Sequence, residues 1–167
     1  AWGDKDGLYS PNATEEGGQL VWSTTGGGAF AWIKKNDAYK NAIVVIESVV
    51  ELNNVTSFYL TGRQDWDGNT YPHVLRDTGI QGITYDADGK ITGFARRPGW
   101  LYDWNNGKYT DDPNRDILSI TADGKLYMRQ VIFTGEAGLT EIDMTIEGSA
   151  DVEKSVKLDY LKMSVCE

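Results

Sequence analysis

Apolar and polar residues alternate along many short segments of this chain. In SFYLTGRQ, Phe58 and Leu60 fall on one side of an extended backbone, and Tyr59 and Arg63 fall on the other. A period of two residues is typical of a β-strand that packs one face against a core, whereas the apolar residues of an amphipathic helix recur every three to four positions. We find no convincing amphipathic helix of ordinary length, so the pattern predicts an all-β fold.

Turn residues separate these segments at short intervals. Asp88-Gly89 and Asp123-Gly124 each stand between two β-rich runs and predict hairpins, because an Asp-Gly pair tolerates the positive φ angles of tight turns. Short strands with such turns predict an antiparallel β-sandwich of the jelly-roll type, which we expect to occupy residues 1–167 as a single domain. The predicted strands are Gly18–Thr24, Ala29–Lys34, Ala42–Leu52, Ser57–Gln64, Gly79–Tyr85, Lys90–Ala95, Ile117–Thr121, Lys125–Phe133, Leu139–Glu147 and Ser155–Val165.

Composition narrows the classes of partner and site. The chain has 16 Lys and Arg against 25 Asp and Glu, and its net charge of −9 repels nucleic acid and anionic membranes and favours a neutral ligand. Its one cysteine, Cys166, and its one histidine, His73, exclude an internal disulfide, a thiolate metal cluster and a multi-histidine metal site. We expect His73 to lie in an exposed loop. No apolar run approaches the roughly 20 residues of a membrane-spanning helix.

Aromatic residues carry the main functional signal. The stretch WLYDWNNGKY places Trp100, Tyr102 and Trp104 at alternate positions between turn signals. In an extended strand the two tryptophans would stand about 13 Å apart, the length scale of successive units in an extended polysaccharide. These side chains either fill a core or form a platform for a ligand with flat apolar faces. We expect at least one of the three to touch ligand and at least one to be buried.

Further candidates lie outside that stretch. Trp66 sits in a loop of Asp, Gly and Asn, where it has few apolar neighbours in sequence. Sugar rings stack on aromatic faces, while their hydroxyl groups pair with Arg, Tyr and amide groups. We therefore predict a carbohydrate cleft with aromatic platforms and polar lining. Its platform residues are Trp66, Trp100, Tyr102 and Trp104, and its lining residues are Tyr59, Arg63, Tyr127, Arg129 and Gln130.

An enzymatic alternative, a small jelly-roll glycoside hydrolase or lyase that uses Glu141 and Asp143, rests on the segment TEIDMTIEG. It resembles the active-site strand of family-16 glycoside hydrolases, and Glu141 and Asp143 match the first two carboxylates of that motif. Thr145 stands at the third position, and Glu147 comes two residues late. Retaining hydrolysis also needs two carboxyl groups about 5–5.5 Å apart. The departure from the motif makes a solvated strand the preferred interpretation of this segment, and a structural or adhesive sandwich is a third alternative.

The chain as a whole resembles the non-catalytic carbohydrate-binding modules of the β-sandwich type that are attached to bacterial enzymes degrading plant cell walls. The resemblance rests on length, on surface aromatics in an acidic β-rich chain, and on the closing strand VKLDYLKMSV. It implies a secreted or cell-surface module that binds a β-1,4-linked polysaccharide such as xylan or β-glucan, without catalysis or a required cofactor, and targets a linked catalytic module to its substrate. It also implies a structural calcium at Asp159, with Glu15 and Glu16 available as partners.

Overall fold

The described part of the molecule consists of strands and turns, with no helix among the described residues. A computed structural model describes the backbone of residues 8–9, 13–26, 28–34, 39–64, 73–96, 102–103, 108–109, 116–136 and 138–166, and the side chains of residues 13–26, 39–63, 74–96, 116–136 and 138–166. In chain order the strands are β1 (Leu8–Tyr9), β2 (Thr14–Glu16), β3 (Gln19–Thr24), β4 (Gly28–Lys34), β5 (Ile43–Asn53), β6 (Ser57–Gln64), β7 (His73–Tyr85), β8 (Ile91–Arg96), β9 (Tyr102–Asp103), β10 (Lys108–Tyr109), β11 (Ile117–Ile120), β12 (Leu126–Phe133), β13 (Glu141–Glu147) and β14 (Lys154–Cys166).

Two six-stranded antiparallel sheets pack face to face. Sheet A has the order β1-β4-β13-β6-β7-β8, and sheet B has the order β11-β12-β5-β14-β3-β2. The strands β9 and β10 form a separate two-stranded ladder. The predicted antiparallel β-sandwich of the jelly-roll type is confirmed. Among the described residues, no helix has the length and apolar character that crossing a membrane requires.

The core lies between the two sheets and follows the alternation in the sequence. Val44, Ile46, Ser48 and Val50 of β5 are fully buried, while the residues between them are partly exposed on the opposite face. The inward faces predicted for three other strands are also confirmed. Their buried side chains are Phe58 and Leu60 of β6, Leu126, Met128 and Ile132 of β12, and Ile142, Met144 and Ile146 of β13.

All ten predicted strands are present, and one begins much earlier than expected. Strand β7 begins at His73 rather than Gly79, so His73 starts a strand instead of lying in a loop. The cause lies in Arg76, which points into the interior and is fully buried. Its Nε donates a hydrogen bond of 2.8 Å to the buried carboxylate of Asp116, which neutralises a charge that a strand core does not otherwise tolerate.

Both Asp-Gly hairpins are confirmed, although only the glycines adopt the left-handed conformation. Gly89 has φ 81° and Gly124 has φ 80°, which fits a turn of ordinary handedness followed by a glycine in the left-handed region. The two turn tips also touch each other. The Ile91 N–H donates a hydrogen bond of 2.9 Å to the Gly124 carbonyl, so the hairpin of sheet A and that of sheet B close one end of the sandwich.

Candidate functional site

The outer face of sheet A carries a polar cluster at its centre. Strands β6 and β13 are neighbours, and their register sets Arg63 opposite Glu141 and Thr61 opposite Asp143. On the other side of β6, Thr61 pairs with Asp77 of β7. Because all these residues alternate with buried core residues, they share the face that points away from sheet B. We call this group the Arg63 face, and its members are Tyr59, Thr61, Arg63, Asp77, Glu141 and Asp143.

The floor of the Arg63 face is shielded from solvent. Thr61 is 5% exposed, Asp77 is 8% exposed and Asp143 is 9% exposed, although all three point away from the core. An ordinary outer sheet face leaves such polar side chains open to water. This face is therefore a shielded polar surface, not the half-solvated strand that the sequence favoured for the segment around Asp143.

A network of charges and hydrogen bonds fixes these side chains. Arg63 Nε donates a hydrogen bond of 2.5 Å to Asp143 Oδ2 and lies 3.8 Å from Glu141 Oε2. Thr61 Oγ1 donates a hydrogen bond of 3.1 Å to Asp77 Oδ1. Two carboxylates, those of Glu141 and Asp143, therefore flank the Arg63 guanidinium. The pairing of β6 with β7 shifts register next to Arg63, and such bulges commonly occur beside functional sites because they re-aim side chains.

Tyr59 contributes an aromatic ring to the same face. It pairs with Gly79 of β7, and a Cβ atom built on Gly79 would stand 2.5 Å from Cδ1 and 3.4 Å from Cε1 of the Tyr59 ring. The ring therefore leans across the neighbouring strand over a position that has no side chain. Since Tyr59 is only partly buried, some of its ring remains accessible beside the charged cluster.

The aromatic stretch WLYDWNNGKY lies partly within the described residues. Tyr102 and Asp103 form β9, which pairs with Lys108 and Tyr109 of β10 as a small hairpin outside both main sheets. Strand β9 contacts β7 of sheet A. Strand β6 pairs with β7 from His73 to Gln81, whereas β8 pairs with it only from Ile80 to Tyr85. Trp66, Trp100 and Trp104 and the side chain of Tyr102 lie outside the described residues.

Tyr127 and Arg129 do not share a cleft with Tyr59 and Arg63. Both lie on β12, a strand of sheet B, and both point away from the core. The predicted single cleft is therefore wrong, because the two pairs of residues occupy the outer faces of opposite sheets. Tyr127 Oη donates a hydrogen bond of 2.9 Å to Glu47 Oε2. Partial burial, and then this bond to the phenol, raise the pKa of Tyr127.

Gln130 is also misplaced by the prediction, because it faces the core. It is fully buried, and its Nε2 donates hydrogen bonds of 2.9 Å to the Leu60 carbonyl and to Thr78 Oγ1. These bonds cross from sheet B to sheet A. Gln130 is therefore a polar link between the two sheets and does not line a ligand surface.

The residues around Asp159 do not fit a calcium site. Lys125 Nζ donates a hydrogen bond of 2.8 Å to Asp159 Oδ2, and Gln19 Nε2 donates one of 2.6 Å to Oδ1. Calcium takes six to eight oxygen ligands, and an ammonium group at this carboxylate opposes a second cation. The bond to Asp159 raises the pKa of Lys125. No group of three or more His, Cys, Asp and Glu side chains in the described part of the chain is arranged to hold a metal ion.

Sequence reasoning overlooked Tyr160, which lies exposed on the outer face of sheet B. The signal was present in the spacing of apolar residues along β14. Val156 and Leu158 occupy even positions, whereas Leu161, Met163 and Val165 occupy odd positions. One strand can bury both sets in one core only if an extra residue interrupts the pleat. The structure has this irregularity between Leu158 and Tyr160.

Comparisons with known proteins return few matches. No protein-family model matches the chain, and no curated protein matches it. One similar solved structure is described as "CBM4 structure and function", with a TM-score of 0.49, 8% identity, and coverage of 95% of this chain and 94% of that chain. Another is described as "Structural analysis of an exo-beta-agarase", with a TM-score of 0.37, 14% identity, and coverage of 97% of this chain and 24% of that chain. Neither likeness is close enough to decide a function.

Proposed function

We propose that this chain is a non-catalytic module that binds a neutral, β-1,4-linked plant cell-wall polysaccharide of the xylan or β-glucan type. The observation that carries the proposal is the Tyr59 ring, which leans over Gly79 beside the fixed polar groups of the Arg63 face. An aromatic surface next to oriented donors and acceptors suits a sugar, whose ring has apolar C–H faces and a rim of hydroxyl groups.

The charge of this face favours a neutral glycan over an acidic one. Glu141 supplies carboxylate oxygens that accept hydrogen bonds from sugar hydroxyl groups, and Arg63 donates to sugar oxygens; their side chains are 25% and 29% exposed. A uronic acid would bring a further carboxylate next to Glu141 and Asp143, which already share the Arg63 guanidinium, and like charges repel strongly in a shielded region. The net charge of −9 acts in the same direction.

The aromatic stretch extends this surface in the proposal. Because β9 belongs to neither main sheet and contacts β7, its backbone lies next to the sheet that carries the Arg63 face. We assign Trp66, Trp100, Tyr102 and Trp104 to the platform on the sequence pattern. The module would then hold a linked catalytic module against its substrate outside the cell.

Affinity electrophoresis tests the proposal directly. The parent is run through gels containing xylan, xyloglucan, mixed-linkage β-glucan, galactomannan or pectin, beside Tyr59→Ala and Glu141→Gln. Glu147→Gln is the matched control, because Glu147 lies on the outer side of β13 at its other end. Retardation in a neutral gel that is weakened in Tyr59→Ala and in Glu141→Gln, but unchanged in the control, supports the proposal. Retardation that Tyr59→Ala does not change contradicts the assigned face.

The same polysaccharides decide the enzymatic alternative. Glu141 and Asp143 stand on one face of β13, as a hydrolytic pair would, but Asp143 is bound by Arg63. That contact suits a side chain that orients a guanidinium. Release of reducing sugar by the parent, abolished in Glu141→Gln, would replace the binding function by hydrolysis.

A further inference from the structure

The outer face of sheet B is unusually rich in exposed apolar side chains. Among the described residues, six large hydrophobic side chains are exposed, and four of them lie on this face. Ile43 and Phe133 pair at one end of this face, and Tyr160 stands opposite Val49, six positions further along β5. The four side chains are Ile43, Ile117, Phe133 and Tyr160.

Two tyrosines form the centre of that face. Tyr127 of β12 and Tyr160 of β14 both pair with the same residue of β5, Val49, from its two sides. Neighbouring strands are about 4.8 Å apart, so the two tyrosines stand about 10 Å apart in a row perpendicular to the strands. This separation is close to the length of two units of an extended β-1,4-linked glycan. Alternate units of a two-fold chain such as a β-1,4-glucan present the same face, so both rings would meet equivalent sugar faces of that ligand.

The bulge in β14 places Tyr160 in this row. Leu158 faces the core, and regular alternation would turn Tyr160 inward and Leu161 outward. The extra residue, Asp159, reverses this order, so that Tyr160 is 39% exposed and Leu161 packs against the core. Lys125 and Gln19 hold the Asp159 carboxylate and stabilise the bulge. Bulges are over-represented next to functional sites, where they re-aim a side chain, and this one turns a large aromatic ring outward.

The charges around the tyrosine row are mixed. The next row on one side holds Arg129, Glu47 and Lys162, which oppose one another across the three strands. On the other side Lys125 is paired with Asp159. Such a surface offers donors and acceptors without a strong field of one sign, so it suits a neutral, hydroxyl-rich ligand better than an acidic polymer. Tyr127 also has its hydroxyl fixed by Glu47, which orients its ring.

We propose that the row Tyr127–Val49–Tyr160 is a second glycan-binding surface, separate from the Arg63 face. The class of ligand, a neutral β-linked polysaccharide, rests on the proposed function; the location rests on the row and its bulge. A chain with binding faces on opposite sheets holds two polysaccharide strands at once. It would therefore cross-link a soluble glycan and bind a dense one more tightly than either face binds alone.

The test separates the two faces. Tyr160→Ala removes the ring at an exposed position, Tyr160→Phe is its matched control because it keeps the ring, and Tyr59→Ala disables the Arg63 face. Each is run in the neutral gel that retards the parent, and light scattering measures cross-linking of the soluble glycan. We expect Tyr160→Ala to weaken binding about tenfold and to abolish cross-linking, Tyr160→Phe to retain both, and the double variant Tyr59→Ala/Tyr160→Ala to show no retardation.

The other outcomes are equally decisive. If Tyr160→Ala matches the parent while Tyr59→Ala loses all retardation, the second surface is wrong and the proposed function stands. If Tyr160→Ala loses all retardation while Tyr59→Ala matches the parent, the second surface stands and the Arg63 face is wrong. A parent that no glycan retards overturns both. Sedimentation without glycan completes the test, because a parent dimer that Tyr160→Ala dissociates would make the face a contact between copies and overturn the proposal.

Discussion

Two glycines in equivalent turns give a matched test of how the two sheets are closed at one end. Gly89 and Gly124 have φ angles of 81° and 80°, so an alanine is equally strained at either position. Their surroundings differ. A Cβ atom at Gly89 would have nothing within 4 Å, whereas one at Gly124 would lie 2.3 Å from Cβ and 3.0 Å from Cα of Lys90.

The difference can be given a magnitude. A left-handed conformation costs a non-glycine residue about 1–2 kcal/mol, and this is the whole loss expected for Gly89→Ala. In Gly124→Ala the new methyl group meets the main chain of Lys90, so a side-chain rotation cannot relieve the contact. The two turn tips must separate, which weakens the hydrogen bond from the Ile91 N–H to the Gly124 carbonyl. That bond and the lost packing add about 1–2 kcal/mol, for a total of about 3 kcal/mol.

Urea unfolding followed by tryptophan fluorescence measures both losses, with equal m-values as the condition for comparing them. We expect Gly124→Ala to lose at least about 1 kcal/mol more than Gly89→Ala. Adding Lys90→Gly to Gly124→Ala removes the nearest colliding atom and should recover part of the difference. Equal losses in the two single variants would refute the contact between the hairpin tips, and so would a double variant with no recovery.

Three further predictions concern single side chains. Gly79→Ala places a methyl group 2.5 Å from the Tyr59 ring and should reduce retardation by the glycan. The β-sheet signal in circular dichroism should change little. Unchanged retardation would contradict the role of Tyr59 as a platform. Burial raises the pKa of Tyr85 to about 12, so the folded state keeps the phenol proton at a pH where the unfolded chain has lost it. The free energy of unfolding should therefore fall between about pH 10 and 12, by about 1–2 kcal/mol after allowance for the partial exposure of Tyr85. Urea titrations of Tyr85→Phe should lack this part of the alkaline loss. Lys154 is fully buried, and its ammonium group donates hydrogen bonds to three backbone carbonyls. Lys154→Met should therefore lower the free energy of unfolding by about 3 kcal/mol in urea titrations. A loss below about 1 kcal/mol would contradict a stabilising role for these three hydrogen bonds.

Alternation of apolar and polar residues predicts a strand when its inward side chains pack in an apolar core and need no particular distant residue as a partner. Strands β5, β6, β12 and β13 meet this condition, and their inward faces follow directly from period two. The first half of β7 does not, because Arg76 and Thr78 are buried only by virtue of Asp116, which lies about forty positions further along the chain. No local pattern shows a partner at that distance, so alternation alone predicts this strand only from Gly79 onward.

The irregular pairing of β14 is a different case, because its signal lies within the sequence of the strand itself. The apolar residues of β14 change phase between Leu158 and Leu161, and the bulge at Asp159 follows from that change once a single core is assumed. The resemblance of this strand to a calcium-holding strand drew attention to the correct residue but gave it the wrong partner. Lys125, the residue just before β12 of sheet B, binds the Asp159 carboxylate instead.

The placement of candidate ligand residues shows the limit of reasoning from strand faces. Alternation establishes that Tyr59 and Arg63 point away from the core, and it establishes the same for Tyr127 and Arg129. In a sandwich, however, "away from the core" names two opposite directions, and only the pairing of strands decides between them. Because β6 pairs with β13 and β12 pairs with β5, the two outward sets lie on opposite sides of the molecule. Residues that one strand pattern predicts as a single cleft thus become two surfaces, and any test of binding must treat them as separate.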